Sequence, residues 1–426
     1  MRPALRIYIL SCFIATSFVQ FLPLSAGVSD AQPSGWQLTA STGLKESYDS
    51  NIFLQSTRPD PAIAGAAQPN VASLITSATA SVGAEYRLTP TFAFTAIYTP
   101  ELVRFHSAPS ENYDIHRTAL TANVRGNGTI LEFQNNTVWT DGSTTDPLFG
   151  GPGGAPAIGG AGVRDRRAAF VERGLIKLTC SLDHWFVRSS AACYVHNFLT
   201  QQMSRPYYAN YIDRSEESGG VDLGWALTAK SSLVAGFRYG RQTQGKLNGT
   251  DSPFDSVLRR FIAGFEGEVT PWLQLNLLIG PETRSFAPGT PAGFDRTKTL
   301  LWIDGSSTLK LSKDDTVVLA LRRFEQPAST SVSIYEDITT EVTWRHRFNE
   351  HHTLAAGCRI LRGDWQAPVN RDDRIITPNV TFICAFVHNC SVEFGYSLDR
   401  AISRIPATSG REYRRELGWV SAKYSF

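Results

Sequence analysis

The sequence lacks the long apolar stretches of a helical membrane protein. After the N-terminal region, no segment offers the roughly 18 unbroken apolar residues that a membrane-spanning helix needs. Methionine is scarce, with only 2 in 426 residues, and there are no long Ala/Leu/Glu/Lys patterns with helical spacing. These absences argue against a helical architecture, whether soluble or embedded in a membrane.

The chain also has little net charge. It carries +2 at neutral pH, its charges are scattered singly, and no block of basic residues occurs. Nucleic-acid binding is therefore not expected, because it requires a basic patch. No linker of several tens of residues and no change of composition divides the chain, although its length would suffice for two or three soluble domains.

Cysteine is sparse and follows no metal-binding pattern. Five cysteines follow the N-terminal region, and none stands in a CxxC or Cys/His spacing that would indicate zinc: Cys180, Cys193, Cys358, Cys384 and Cys390. In an oxidising compartment some could pair. Cys384 and Cys390 flank one predicted turn, and Cys180 and Cys193 bracket another, so these are the candidate disulfides. Cys358 would then face lipid.

The N-terminus has the features of an export signal. Arg2 and Arg6 precede an apolar stretch from Ile7 to about Leu24, and small residues follow up to Ala31. This pattern predicts a cleaved signal peptide over residues 1–31, followed by one domain over 32–426. The alternative is a transmembrane anchor, but Pro23 and several polar residues interrupt the apolar stretch.

Most of the remaining chain alternates with a period of two. Apolar residues at Val221, Leu223, Trp225 and Leu227 are interleaved with the small or polar positions that begin at Asp222. Many other segments alternate in the same way, which indicates β-strands. Aromatic residues make up 11% of the chain, and mean hydropathy is only −0.17. Both values suit a membrane barrel, in which one residue in two faces lipid and aromatic girdles mark the interfaces.

Two kinds of connection alternate along the chain. Eight tight turns carry phrases such as Val269-Thr270-Pro271-Trp272-Leu273. The long connections are rich in Gly, Pro, Ser, Asn and Asp, and cover roughly 55–70, 106–114, 142–166, 200–214, 243–254, 286–295, 325–332, 364–372 and 401–410. We therefore predict an all-β fold, a transmembrane antiparallel outer-membrane β-barrel of about 18 strands, with short periplasmic turns and long external loops. A soluble β-sandwich or propeller would also alternate, but its polar faces would not carry charges in nearly every strand.

The C-terminal strand fits this fold. Val420, Tyr424 and the terminal Phe426 share one face with Ala422 and Gly418. The pattern is similar to the C-terminal assembly signal of outer-membrane barrels, so the barrel assembly machinery and outer-membrane lipid are the expected partners.

A short phrase near the first strand carries a family resemblance. Tyr48-Asp49-Ser50-Asn51-Ile52-Phe53-Leu54 resembles the opening hairpin of the β-barrel porin type 2 family, and so does the layout of the whole chain. The resemblance implies an outer-membrane channel-like protein, some relatives of which accompany exopolysaccharide export systems. It implies no catalytic residue. We interpret Asp49 and Asn51 as turn-forming residues, in preference to a metal or sugar site.

The predicted function is passive passage of small solutes, including saccharides, through a lumen with a mixed-charge wall. The lumen-lining candidates are Glu85, Arg87, Asp222, Arg238, Glu266, Glu268, Arg322, Arg345 and Glu393. We predict no catalytic residue, no cofactor and no metal, and the oligomeric state cannot be read from the sequence. The alternative is a non-catalytic outer-membrane component of an exopolysaccharide synthesis or export system.

Two further sequence features could indicate an enzyme or a phosphate-binding site. His346 lies on the apolar face of its strand, where a lipase would need a histidine, but its position beside a turn favours an interfacial role. The Gly-rich stretch 150–156 is not a phosphate loop, because it lacks the Gly-Lys-Ser/Thr ending. It is either a loop that narrows the lumen or an external loop.

Overall fold

The structure, a computed structural model, describes residues 35–52, 54, 71–88, 91–142, 167–202, 204, 210–328, 333–387, 389–404 and 412–426. The predicted signal peptide over 1–31 and the Gly-rich stretch 150–156 lie outside the described residues. Among those that are described, no helix is long and apolar enough to cross a membrane.

The described chain is built almost entirely of long strands. They are β1 (Gly35–Asp49), β2 (Ser73–Leu88), β3 (Phe92–Phe105), β4 (Tyr113–Gly126), β5 (Thr129–Asp141), β6 (Ala169–Leu182), β7 (Trp185–Phe198), β8 (Arg214–Thr228), β9 (Ser231–Gln244), β10 (Lys246–Leu247), β11 (Thr250–Asp251), β12 (Ser256–Thr270), β13 (Leu273–Phe286), β14 (Thr297–Lys310), β15 (Asp315–Pro327), β16 (Ile334–Arg347), β17 (His352–Trp365), β18 (Asp372–Val387), β19 (Cys390–Arg404) and β20 (Tyr413–Ser425). A short 3₁₀ turn covers Pro109–Glu111.

Eighteen of these strands form one closed antiparallel sheet. Each barrel strand pairs with the next, β9 pairs with β12, and β20 closes the barrel against β1, with Ser41 opposite Ser425 and Asp49 opposite Leu417. The two short strands β10 and β11 form a hairpin inside one of the long connections. The predicted all-β barrel of about 18 strands is confirmed. Short and long connections alternate as predicted, and we call the two ends of the barrel the turn end and the loop end.

The outer wall of the barrel is apolar and uncovered. Val221 and Leu223 in β8 are 52% and 50% exposed, whereas Asp222 between them is fully buried on the inward side. Alternation with a period of two forces this division. An apolar surface that surrounds the whole barrel would be unstable in water, and a closed barrel satisfies the backbone groups that lipid cannot. The fold is therefore that of a transmembrane barrel.

The predicted disulfides are wrong. All five described cysteines are free. Cys180 lies opposite Val187 while Cys193 lies opposite Gly174, so the hairpin register separates them along the strands. Similarly, Cys384 lies opposite Val392 and not opposite Cys390. Residues that flank a turn at unequal distances cannot meet across the ladder, and the sequence spacing gave no register. Cys358 lies opposite Val342, on the lipid face as expected.

One pair of neighbouring strands is joined over only part of its length. The ladder between β14 and β15 runs from Lys310 opposite Thr316 to Ile303 opposite Arg323. Residues 297–302 and 324–327, at the loop end, have no register partner across this pair. The turn-end half of the seam is thus an ordinary ladder. At the loop end, side chains lie between the two strands.

Candidate functional site

The inward face of the barrel changes character along its axis. Toward the turn end, inward side chains such as Gln37, Gln274, Asn276 and Ser306 are exposed to solvent. Toward the loop end, on the side formed by β7–β16, the inward side chains are buried. The most deeply buried polar ones there are His196, Gln242, Glu282 and Arg284, with exposures of 0–2%, and Glu325, 1% exposed, reaches Arg284 through the incomplete seam between β14 and β15. We call this buried, charged region the constriction.

The constriction is centred on two arginines and one carboxylate. Arg260 in β12 and Glu282 in β13 form an ion pair, with Nε donating to Oε2 at 2.7 Å. The Arg260 guanidinium also lies 4.1 Å from the centroid of the Trp302 ring. Arg284 donates to the other oxygen of Glu282 at 3.3 Å. Buried charges are retained only when they are paired in this way.

Further carboxylates surround Arg284. Its guanidinium nitrogens lie 3.8 Å from Glu216 and 3.9 Å from Glu325. These contacts connect β8, β13 and β15, which are not neighbours in the sheet. The carboxylate of Glu325 also accepts a hydrogen bond from Gln366 Nε2 at 2.7 Å. The inward side chains therefore interact across the lumen and not only along the wall.

Arg214 makes the longest of these connections. Its Nη1 donates to the carbonyl oxygen of Pro327 at 2.9 Å, and its Nη2 donates to the Tyr194 hydroxyl at 3.0 Å. Arg214 belongs to β8 and Pro327 to β15, and four barrel strands lie between them in the sheet order. A single side chain thus crosses part of the lumen. Around it lies a recess that is lined also by Gln242, Trp302 and Phe324.

Charged side chains occupy the incomplete seam between β14 and β15. Lys298 Nζ lies 3.5 Å from Glu325 and 3.5 Å from Glu336. Arg323 Nε donates to Glu336 at 2.7 Å. Where the backbone ladder stops, these ion pairs join β14, β15 and β16 at the loop end. At this point, therefore, ion pairs of the constriction form part of the barrel wall itself.

A second network lies nearer the turn end and contains three of the predicted candidates. Asp222 accepts hydrogen bonds from Arg188 Nε at 2.8 Å and from Arg238 Nη2 at 2.8 Å. Arg188 also makes a bidentate contact with Glu266, with both distances 2.9 Å. This network connects β7, β8, β9 and β12. Its side chains are fixed on the inward wall by paired charges.

The other predicted candidates are distributed around the wall. Glu85 and Arg87 form an ion pair with each other on β2. Glu268 lies at the turn end, 3.0 Å from Lys230. The remaining three occupy separate inward positions: Arg322 lies 3.8 Å from Asp304, Arg345 is exposed, and Glu393 accepts a hydrogen bond from Trp419 Nε1 at 2.7 Å. The structure does not bring the nine candidates together at one point.

Sequence reasoning missed the side chains that build the constriction. It did not single out Arg214, Glu216, Glu282, Arg284 and Glu325. The signal was present, because Glu282, Arg284 and Phe286 alternate with outward residues along β13. Their partners come from strands far apart in sequence, however, and alternation alone cannot reveal such contacts.

The phrase that carries the family resemblance has a structural role. The Asn51 backbone N–H donates to Asp49 Oδ1 at 2.9 Å, and the Asn51 side-chain amide donates to the Arg414 carbonyl at 3.1 Å. Asp49 also pairs with Arg415 at 2.8 Å. The first of these bonds confirms the turn interpretation of Asp49 and Asn51. The others attach β1 to β20 at the loop end of the closing seam.

Phe426, Tyr424 and Val420 lie on the outward face at the turn end. The Phe426 N–H donates to the Ala40 carbonyl at 2.8 Å, and the rings of Tyr424 and Phe426 meet edge to face with centroids 4.8 Å apart. The C-terminal residue thus contributes to the contact that closes the barrel.

His346, the histidine on the apolar face of β16, contacts an aspartate beside the turn. His346 Nδ1 lies 2.9 Å from Asp315, and Ser312 donates to the same carboxylate at 2.8 Å. The serine therefore contacts the aspartate and not the histidine, whereas nucleophile activation needs a serine–base contact. No group of three His, Cys, Asp or Glu side chains in the described ranges could hold a metal ion.

No protein-family model and no curated protein sequence matches the chain. Several solved structures are similar to it in fold. A BenF-like porin from Pseudomonas fluorescens Pf-5 aligns with TM-score 0.45 and 9% identity, over 92% of this chain and 99% of that one. OpdK from Pseudomonas aeruginosa aligns with TM-score 0.44 and 10% identity, over 92% and 99%. OccAB4 from Acinetobacter baumannii aligns with TM-score 0.44 and 11% identity, over 92% and 98%. At these TM-scores the likeness carries no argument about function.

Proposed function

We propose that this protein is a porin-like channel of a bacterial outer membrane, through which small polar solutes, including saccharides, pass without chemical change. The observation that carries the proposal is the inward face. This face is polar and exposed to solvent over the turn-end half of the barrel. At the loop end, the charged side chains of the constriction narrow the lumen. A barrel of about 18 strands is wide enough to enclose an aqueous passage.

The chemistry of the constriction favours hydroxyl-rich solutes over ions. Arg260 and Arg284 are paired with carboxylates, and Arg214 donates to neutral oxygens, so the wall presents donors and acceptors side by side without a strong field of one sign. Trp302 adds an aromatic face to the constriction, against the Arg260 guanidinium, and Trp419 adds one to the lumen wall outside it, where it donates to Glu393. Selection by width and by wall polarity follows, without a catalytic step. The predicted lumen candidates, from Glu85 to Glu393, belong to this wall in the proposal.

The cellular setting of this channel is also part of the proposal. The expected signal peptide over 1–31 would direct export, and the assembly machinery would recognise the C-terminal strand with Val420, Tyr424 and Phe426. The apolar outer wall would then contact outer-membrane lipid. The proposal includes no catalytic step.

Liposome swelling tests the proposal. Purified barrel is reconstituted and challenged with neutral saccharides of increasing size. We expect entry of small saccharides and a sharp size limit. In Arg214→Ala, which removes the side chain that crosses the lumen, the limit should move to larger sugars. Arg345→Ala serves as the matched control, because Arg345 is inward but exposed near the turn end. Equal limits in all three proteins would contradict the assignment of the constriction as the filter.

The second candidate function is a non-conducting outer-membrane component of an exopolysaccharide synthesis or export system. One observation favours it, namely that the loop-end side chains of β7–β16 are buried and not open to solvent. Complete absence of swelling with folded, reconstituted protein would favour this role over the channel. The β-barrel porin type 2 resemblance is compatible with both.

A further inference from the structure

Four arginines form a row on the outward face of the barrel at its loop end. They are Arg362 in β17, Arg374 in β18, Arg400 in β19 and Arg414 in β20, and we call them the arginine row. Arg362 lies directly opposite Arg374, and Arg400 lies directly opposite Arg414. Arg374 and Arg400 are diagonal neighbours, because Arg374 faces Ile402 while Arg400 faces Ile376. The row therefore runs across four consecutive strands.

Like charges placed directly opposite each other destabilise a sheet unless something compensates them. Two of the four have local partners: Arg362 pairs with Asp372 at 3.0 Å, and Arg414 pairs with Glu416 at 2.6 Å. Arg374 and Arg400 are exposed, and their side chains make no ion pair or hydrogen bond with any residue that the structure describes. The two central arginines of the row thus have no ion-pair partner among the described residues.

A second pair of exposed, outward arginines at the loop end, Arg241 in β9 and Arg259 in β12, has the same diagonal arrangement, but it covers two strands and not four. On the far side of the closing seam, Arg104 in β3 donates to Asp114 at 2.6 Å. Over the incomplete seam, Arg323 is neutralised by Glu336. Outward arginines at the loop end can therefore be paired within the protein, whereas the central two of the arginine row have no such partner among the described residues.

The row lies at the border of the apolar band. Toward the turn end, the next outward positions on β17, β18 and β19 are the apolar Ile360, Ile376 and Leu398, whereas on β20 Glu416 comes first and Gly418 follows. Tyr396, 43% exposed, lies opposite Gly418 and adds an aromatic ring at the same border. Tyrosine at such a border marks the level of lipid headgroups. The arginines therefore project where headgroups begin.

We propose that the arginine row binds the phosphate groups of an anionic, phosphorylated lipid headgroup in the leaflet at the loop end. Guanidinium groups hold phosphate oxygens through paired, charge-assisted hydrogen bonds. A phosphate between Arg374 and Arg400 would compensate both charges and remove the repulsion within the row. Two phosphates on one headgroup would engage more of the four arginines. This site is on the lipid face, so it is separate from the proposed channel and does not depend on it.

The test measures binding of a lipid to the purified full-length barrel in neutral detergent. The probes are bisphosphorylated lipid A, the same lipid after removal of both phosphates, and inorganic phosphate. We expect the bisphosphorylated lipid to bind, the dephosphorylated lipid to bind much more weakly, and inorganic phosphate at matched concentration to displace little of the bound lipid. Each arginine near an anionic headgroup contributes about fivefold in affinity, so Arg374→Gln/Arg400→Gln should weaken binding by about thirtyfold.

The control removes equal charge from the opposite end of the barrel. Lys313→Gln/Arg347→Gln lies at the turn end, where both side chains are exposed, and should bind the lipid as the unaltered protein does. Arg374→Lys/Arg400→Lys keeps the charge and should recover part of the affinity, which separates lost binding from lost folding. The proposal is overturned if the double glutamine variant binds normally, if dephosphorylated lipid binds equally well, or if inorganic phosphate alone displaces the lipid.

Discussion

At the scale of single residues, Asp222 shows how the lumen wall is held together. Its side chain is fully buried, and its two oxygens accept hydrogen bonds from arginines on both neighbouring strands. Gly236 lies directly opposite Asp222, and a Cβ there would overlap the carboxylate. Gly220 makes room for the Arg238 side chain in the same way. The network therefore needs both the Asp222 carboxylate and a glycine at each of positions 220 and 236, where a side chain would overlap Arg238 and the carboxylate, respectively.

Replacing the buried carboxylate should strongly destabilise the barrel. Asp222→Ala leaves Arg188 and Arg238 without their shared partner, and breaking a buried ion pair in this way costs about 3–5 kcal/mol. Asp304→Ala is the matched control, because Asp304 is 57% exposed and lies 3.8 Å from Arg322. That change should cost less than about 1 kcal/mol. Urea unfolding of the reconstituted barrel, followed by tryptophan fluorescence, measures both, and equal costs would contradict this account of the network.

The glycine opposite Asp222 makes a second residue-scale prediction. Gly236→Ala forces a methyl group against the Asp222 carboxylate, and overpacking of this kind typically costs about 1–3 kcal/mol. Gly126→Ala has no heavy atom within 4 Å of the added Cβ and should have little effect. The same unfolding experiment compares the two variants. If Gly236→Ala is as stable as Gly126→Ala, the carboxylate can relax and the fit is not tight.

At this scale the sequence could predict on which face of a strand a side chain lies, but not which other side chains it contacts. Alternation of the kind seen around Val221 and Leu223, applied to β8, β9 and β12, was enough to place Asp222, Arg238 and Glu266 on the polar faces of their strands. It could not show that Arg188 would connect Asp222 to Glu266, because that contact depends on the stagger between β7, β8, β9 and β12. The same limit explains the wrong disulfides. Cysteines near one turn suggest proximity, but only the register decides which residues face each other.

At the scale of elements, the seam between β14 and β15 is unusual. In every other described pair of neighbouring barrel strands that both reach the loop end, the ladder of paired residues continues to that end. Between β14 and β15 the ladder stops at Ile303 and Arg323, and Lys298, Glu325 and Glu336 replace it with ion pairs. In β15 the outward positions change from Leu319 and Leu321 to Arg323 and Glu325 where the ladder stops, but a change from apolar to charged residues does not by itself predict a break in pairing. The break depends on how the inward charges of the constriction pack against each other.

Hydrogen exchange tests this difference between the two halves of the seam. Backbone amides in 297–302 and 324–327 lack ladder partners across β14 and β15, so we expect them to exchange faster on average than amides in 303–310. The corresponding loop-end amides of β13, which pairs with β14 along its whole length, provide the internal control. Equal protection throughout β14 would show that the strands close against each other in the membrane.

The closing seam between β1 and β20 is the second informative element. Deleting Phe426 removes its hydrogen bond to Ala40 and its ring contact with Tyr424. We expect less assembled barrel in outer-membrane fractions, measured as the folded species on semi-native gels. Ser425→Ala serves as a control in the same strand, because it keeps the backbone bond and the aromatic pair. Wild-type levels of the truncated protein would contradict an assembly role for Phe426.

At the scale of the whole molecule, the fold was readable from the sequence and the constriction was not. Period-two alternation, tight turns and long loops are local properties, and together they specify strand number and orientation. The narrowing of the lumen depends on contacts such as Arg214 with Pro327, whose positions are 113 residues apart. Such contacts follow only once the barrel has closed. The proposed function therefore depends on a feature that the sequence pattern does not encode locally.

Single-channel recording of the purified barrel in a planar lipid bilayer tests the central claim most directly. The account predicts discrete conductance steps with little preference between cations and anions, because the charges of the constriction are paired. It also predicts larger steps for Arg214→Ala than for the unaltered protein, with Arg345→Ala close to the unaltered value. Folded protein that inserts into the bilayer but gives no conductance steps, in all three forms, would contradict the channel.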